Sequence, residues 1–301
     1  MNEGADLSFV NLGITIEHLR NSITVFGGFR IAFYGMIIAC GMLAGMWVAQ
    51  QDAKRRGQDP DLYLDFALYA IVFAIAGARI YYVIFAWNDY KDNLIQVFNL
   101  RGGGLAIYGG VIAAVLTMIV YTKIKKQSFF SMSDTGVLGL VTGQIIGRWG
   151  NFFNCEAFGG YTESLLAMRI KRSIVNPSMI SQELLDHLIV ENGVEYIQVH
   201  PTFFYESMWN LCLLVFMLWY RKRKKYDGEM LWIYLFGYGL GRVWIEGLRT
   251  DQLIFFNTGI PVSQALSAIL VAAAAVMMVI SRKKWGAHPP VDKTVDKVGE
   301  N

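Results

Sequence analysis

Seven apolar blocks of roughly 16 to 25 residues recur along this 301-residue chain, and that is about the length a helix needs to cross the hydrocarbon core of a bilayer. They fall at 31 to 50, 62 to 86, 105 to 122, 132 to 147, 204 to 220, 230 to 245 and 261 to 281. No water is present at that depth to satisfy peptide groups, so such blocks fold as helices that bond internally. A soluble domain with 54% hydrophobic and 17% charged residues would struggle to cover its core. The expected fold class is therefore all-α, a polytopic membrane protein with seven transmembrane helices.

Basic residues then set the orientation, because Lys- and Arg-rich loops are retained in the cytoplasm. Lys54 to Arg56, Lys123 with Lys125 and Lys126, Arg221 to Lys225, and Arg282 to Lys284 hold 14 of the 27 Lys and Arg residues. They occupy every second connection, which places the N-terminus outside and the C-terminus in the cytoplasm. The net charge of +3 is accounted for by this topology and gives no sign of nucleic-acid binding. The first thirty residues carry Glu3, Asp6, Glu17 and Arg20 without a sustained apolar core, unlike a cleaved signal. Residues 1 to 285 are expected to form one seven-span domain. Residues 148 to 203 form its large extracytoplasmic loop between spans four and five, and 286 to 301 a disordered cytoplasmic tail. Within the loop, Ser178 to Glu183 can start a short helix with Ser178 as cap, and the same stretch suits a helix lying on the outer leaflet.

Four polar constellations sit at the outer ends of these spans. Gly147-Arg148-Trp149-Gly150-Asn151-Phe152-Phe153-Asn154-Cys155-Glu156 combines a guanidinium fork suited to phosphate or carboxylate with amides, and with glycines that allow close backbone approach. An arginine snorkelling to water is the competing account. Arg242, Glu246 and Arg249 are spaced to share one helical face, leaving one excess positive charge that suits an anionic headgroup. Arg101 to Gly110 has five glycines in nine positions around Tyr108, which lets helices or a ligand approach; it lacks the Lys-Ser/Thr of a P-loop. His200-Pro201-Thr202-Phe203-Phe204-Tyr205-Glu206 offers a His and a Glu as an acid/base or orienting pair. Arg30 with Tyr34, and Arg79 with Tyr81 and Tyr82, add polar groups near outer helix ends. Of the three cysteines, Cys40 and Cys212 read as small hydrophobes, and Cys155 has no neighbouring His to raise its thiolate fraction. No metal site or cofactor is expected.

The thirteen-residue run from Gly147 to Gly159 resembles the signature of bacterial prolipoprotein diacylglyceryl transferases. So do Gly102 to Gly110, His200-Pro201-Thr202 with Tyr205-Glu206, Arg242-x-x-x-Glu246-x-x-Arg249, Arg30 with Tyr34-Gly35, and Gly77-Ala78-Arg79. The resemblance runs in order from about Arg30 to Ile280. It implies an enzyme of the bacterial cytoplasmic membrane that moves the diacylglyceryl group of phosphatidylglycerol to the lipobox cysteine of preprolipoprotein signal peptides. A thioether forms and glycerol 1-phosphate is released.

By that resemblance Arg148 and Arg242 hold the phosphate leaving group and Asn151, Asn154 and Gly159 shape the pocket. Glu246 orients Arg242 or Arg249, Tyr34 contacts the headgroup, and His200 lines the lipid site. Some family members carry His-Gly-Gly where this chain has Tyr108-Gly109-Gly110, and that His is a candidate base. A tyrosine with an ordinary pKa near 10 is a poor base at neutral pH, so Tyr108 is a catalytic candidate whose hydroxyl need only hydrogen-bond the substrate. If a base is required, His200, Glu206 or the substrate phosphate can serve, and thiol activation by the cationic site alone is a further route. A transporter for an anionic or lipid-like solute is the alternative function; it would bring internal repeats and polar groups near the midplane, and none are evident.

Overall fold

The computed structural model describes residues 6–25, 28–100, 103–252, 254, 259 and 261–287. Arg101, Gly102 and the tail after Ala287 lie outside the described residues. Helices dominate: α1 (Phe33–Arg55), α2 (Asp61–Phe85), α3 (Trp87–Tyr90), α4 (Ile107–Ile124), α5 (Phe129–Phe153), α6 (Gln182–Asp186), α7 (Thr202–Tyr220), α8 (Glu229–Glu246) and α9 (Val262–Ala287). The seven long helices coincide with the seven apolar blocks. Five of them, α1, α2, α4, α7 and α9, are long and apolar enough to cross a membrane, which makes this a multi-pass membrane protein. Helices α5 and α8 are less apolar because they carry Asp134, Gln144 and Arg148, and Glu229, Arg242 and Glu246.

The all-α expectation needs correction. A five-stranded antiparallel sheet of order β2-β1-β5-β7-β6 joins the N-terminus to the long loop, through β1 (Leu7–Phe9), β2 (Ile14–Ile16), β5 (Met168–Lys171), β6 (Ile189–Glu191) and β7 (Val194–Val199). A separate ribbon pairs β3 (Ser22–Val25) with β4 (Phe29–Ala32). In β5 the side chains alternate, Met168 and Ile170 buried and Arg169 and Lys171 not. Leu7, Ile170, Ile197, Val199 and Phe203 close a core on one face of the sheet. The expected short helix is α6, capped by Ser181, whose hydroxyl accepts from the Leu184 amide; Ser178 belongs instead to a turn capped by Asn176. Leu184 is buried in the sheet's core, so this segment packs on the sheet.

The chain forms two compact units, residues 46–139 and residues 1–45 with 140–301. In the first, α2 and α4 pack through glycines: a Cβ on Gly110 would stand 3.3 Å from the Ala74 carbonyl oxygen, and Gly77 and Gly109 are tighter still. Arg79, on α2, is buried in a cradle of carbonyls, donating to Val97 (2.8 Å), Gln96 (2.6 Å), Gly103 (2.8 Å) and Gly104 (3.0 Å). Its fork is consumed in holding the connection between α2 and α4. In the second unit, α1 and α5 cross at Gly41 and Gly143, where a Cβ on Gly41 would come within 3.1 Å of the Gly143 carbonyl. Gly147 faces Ile38, and Gly150 lies under the Tyr34 ring, 2.7 Å from where its Cβ would be. Gly147 and Gly150 thus let α1 approach α5.

Candidate functional site

Four helix ends of the larger unit meet at one level. Arg148 stands five residues before Phe153, where α5 ends, Glu206 in the second turn of α7, Arg242 and Glu246 in the last turns of α8, and Ser263 in the first turn of α9. Glu206 is buried and is the hub, its carboxyl pairing with the Arg148 Nε on one oxygen and accepting from Arg242 Nη1 at 2.6 Å on the other. Arg242 Nη2 also pairs with Glu246, whose second oxygen accepts from Ser263 Oγ at 2.7 Å, while Gln252 caps the Glu246 carbonyl. An arginine and a glutamate this deep are costly alone and are each tolerated through the other.

Arg249 does not continue the α8 face. The helix ends at Glu246, and Arg249 makes a two-point pair with Asp251 at 2.9 and 2.8 Å. Burial alone would lower the Arg249 pKa, but the adjacent Asp251 carboxyl raises it; Arg249 in turn outweighs burial and lowers Asp251. The one excess positive charge expected for Arg242, Glu246 and Arg249 is therefore not what the structure holds. Three arginines face three carboxyl groups once Arg148, Glu206 and Asp251 join the set. Spare donor capacity remains at Arg148, side chain 22% exposed, whose terminal nitrogens make no hydrogen bond among the described residues.

The signature loop is folded on itself beside this array. Asn151 and Asn154 both donate to Glu156 Oε1, at 2.9 and 3.3 Å. Trp149 donates to Ser207 Oγ on α7, which locks α5 against the helix that carries Glu206. The chain then turns through Cys155 (φ 48°) and Ala157 (φ 56°), left-handed positions that cost a side chain energy and persist only where surroundings fix them. Thr202, buried at the start of α7, fixes one by donating to the Ala157 carbonyl. Gly159 next threads between two strands of chain: its amide donates to the His200 carbonyl at 2.9 Å, and a Cβ there would lie 2.7 Å from the Leu248 oxygen and 2.8 Å from His200 Cβ. Gly159→Ala is expected to cost about 1 to 3 kcal/mol by overpacking, read as a lowered Tm in detergent with turnover reduced in parallel.

His200 and Glu206 do not form the expected pair. His200 Nδ1 faces the Tyr205 hydroxyl at 3.3 Å, and burial lowers its pKa, while Glu206 turns to the arginines. Cys155 is buried in the sheet's core, and burial, with Asp6 and Glu156 nearby, pushes its thiol up to about 12. Such a thiol is no nucleophile at neutral pH. Cys155→Ala is expected to keep turnover within about threefold, and maleimide to leave native Cys155 unlabelled. Tyr108 belongs to the smaller unit, on the first turn of α4, half-buried, with no hydrogen bond to its hydroxyl among the described residues. Sequence reasoning placed Glu246 on Arg242 but missed Asp251 and Ser263. The signal for the hub was Glu206 itself, an acid one turn from Asn210 in an otherwise apolar helix, which demands a buried cation.

The family model described as prolipoprotein diacylglyceryl transferase matches residues 21–280. Three relatives named phosphatidylglycerol--prolipoprotein diacylglyceryl transferase are similar over most of both chains. The one from Clostridioides difficile (strain 630) is 42% identical over 265 residues, covering 88% of this chain and 96% of its own. That of Bacillus licheniformis is 38% identical, covering 90% and 95%, and that of Bacillus cytotoxicus 37%, covering 85% and 90%.

Proposed function

Since this chain belongs to the prolipoprotein diacylglyceryl transferase family, we propose that it transfers the diacylglyceryl group of phosphatidylglycerol to the lipobox cysteine thiol of preprolipoproteins. The observation that carries the site assignment is the buried array Arg148–Glu206–Arg242–Glu246, two guanidiniums held by carboxyl groups at the ends of four helices. All seven long helices span the bacterial cytoplasmic membrane in this reading, with the N-terminus outside. The basic clusters at 54–56, 123–126, 221–225 and 282–284 support it, because they leave the array at the opposite, outer ends of α5, α7, α8 and α9.

The thiol sulfur attacks the glycerol carbon that bears the phosphate, a carbon–sulfur bond forms, and the carbon–oxygen bond to phosphate breaks. The diester becomes a monoester, so charge grows on the leaving group as the bond lengthens. Arg148 and Arg242 stabilise that charge in a site shielded from water. Arg148 makes the first contact with its free terminal nitrogens, and Arg242, more deeply set, holds its direction through Glu206 and Glu246. A phosphate monoester has a second pKa near 6, so the departing phosphate itself takes the thiol proton. That balances the reaction without an enzymic base, in keeping with a cluster whose every carboxyl group is committed to an arginine. Asn151, Asn154 and Gly159 shape the pocket wall, Tyr34 and Arg249 face the headgroup, and His200 lines the same side as a neutral ring.

The family resemblance gives Tyr108 a hydrogen bond to the lipid, and no proton transfer is assigned to it. Tyr108→Phe is accordingly expected to lower kcat/KM by about fivefold to tenfold, the value of one hydrogen bond, with an unchanged pH profile. A loss beyond a thousandfold would assign it the base. The activity itself is tested by reconstituting the protein with phosphatidylglycerol and a lipobox peptide. Thioether-linked diacylglycerol and glycerol 1-phosphate in equal amounts are expected, and absence of both overturns the reading.

A further inference from the structure

The ribbon that precedes α1 is two-faced. Its register pairs Ile23 with Ile31 and Thr24 with Arg30, so Ile23, Val25 and Ile31 share one face and Ser22, Thr24 and Arg30 the other. The apolar three are exposed, at 43%, 40% and 36%. The polar face opens on a cleft of about 360 Å³, where Arg20, Asn21, Ser22, Thr24 and Arg30 stand opposite Asn154 at the end of α5. No acidic side chain lines this cleft, and neither Arg20 nor Arg30 makes an ion pair or hydrogen bond among the described residues. This is the reverse of the Arg148–Glu206–Arg242 array, where every guanidinium already has a carboxyl partner.

We propose that the ribbon lies in the membrane interface and that Arg20 and Arg30 hold the phosphate of an anionic phospholipid there, at a site built from different side chains than the arginine array. Three exposed β-branched residues on one face of a short ribbon seek the acyl region, as an amphipathic helix would. The opposite face then sits at headgroup depth, where two unpaired guanidiniums and the Asn21 and Asn154 amides suit a phosphodiester. Asn154 closes the cleft and also donates to Glu156 of the signature loop, so a lipid bound here is held against the segment that shapes the transfer site. The inference rests on the membrane setting of the proposed function and not on its chemistry.

The test counts lipid. Full-length protein is purified in detergent doped with phosphatidylglycerol and phosphatidylcholine, and retained lipid is measured by native mass spectrometry for wild type, R20Q/R30Q and R20K/R30K. Wild type and R20K/R30K are expected to retain a phosphatidylglycerol that R20Q/R30Q binds roughly tenfold more weakly. Equal retention by wild type and R20Q/R30Q overturns the site. Two further arms separate other anions: weakened binding of a lipobox peptide by R20Q/R30Q with lipid binding intact, or exchange of the retained lipid for inorganic phosphate, overturns the lipid assignment. Retention is read without turnover, so an inactive wild type would sink the transferase reading and leave this one standing.

Discussion

Arg242→Ala is expected to cut turnover by about a hundredfold to a thousandfold, and to destabilise the protein as well. The first effect follows from the leaving group: a preorganised donor aimed at developing charge is worth about a hundredfold to a thousandfold, and Arg242 is one of two guanidiniums assigned to the phosphate. The second follows from burial. The Arg242 side chain is 12% exposed, Glu206 4% and Glu246 5%, so its removal leaves two carboxyl groups short of their cation. Breaking such a pair costs on the order of 3 to 5 kcal/mol. Arg148→Ala separates the two effects, since Arg148 is more exposed and shares only Glu206. It should cost as much turnover as Arg242→Ala with a smaller fall in Tm. Thioether formation and thermal unfolding in the same lipid check both, and an active R242A variant would remove Arg242 from the phosphate.

These expectations depend on features that a single sequence shows unevenly. The long helices were legible because bilayer thickness fixes their length; the apolar blocks at 31 to 50 and 62 to 86 became Phe33–Arg55 and Asp61–Phe85. The sheet was not. Its strands β1, β2 and β6 have three residues each, too short for alternation to register, and β1 pairs with β5 across some 160 positions of chain. Leu7, Ile170 and Ile197 look like scattered apolar residues until topology puts them on one face.

The candidate site was half legible for a related reason. Glu246 falls one turn beyond Arg242, and helical spacing predicts that pair. Glu206 sits 36 positions away on another helix, where the nearest His, Lys or Arg in sequence is His200. Local pairing therefore suggested the wrong partner, and long-range electrostatics chose the right one: a buried carboxyl group gains far more from two guanidiniums than from an imidazole that burial keeps neutral. Arg79 shows the opposite error. As an arginine near a helix end beside tyrosines it counted among the outer polar groups, yet four backbone carbonyls take four of its five N–H donors.

Glu206 then carries the most discriminating prediction. As a positioning residue it holds Arg148 and Arg242 at a fixed spacing, and neither arginine has that alignment from its own helix. Glu206→Ala leaves Arg148 without its one carboxyl partner and Arg242 with Glu246 alone, so turnover is expected to fall about a hundredfold or more, with kcat carrying most of the loss. Glu206→Gln keeps one carbonyl acceptor but sets an amide N–H against the other guanidinium. It should retain one of the two contacts and lose about tenfold to a hundredfold. Because the thiol proton is assigned to the departing phosphate, the pH profile of Glu206→Gln should follow that of wild type over the range where both are active. A profile that loses its acid limb in Glu206→Gln would make this carboxyl group the base and displace the phosphate from that role. Unchanged kcat in Glu206→Ala would mean the two arginines align without it, and the array would then be a structural ion-pair network beside the true site.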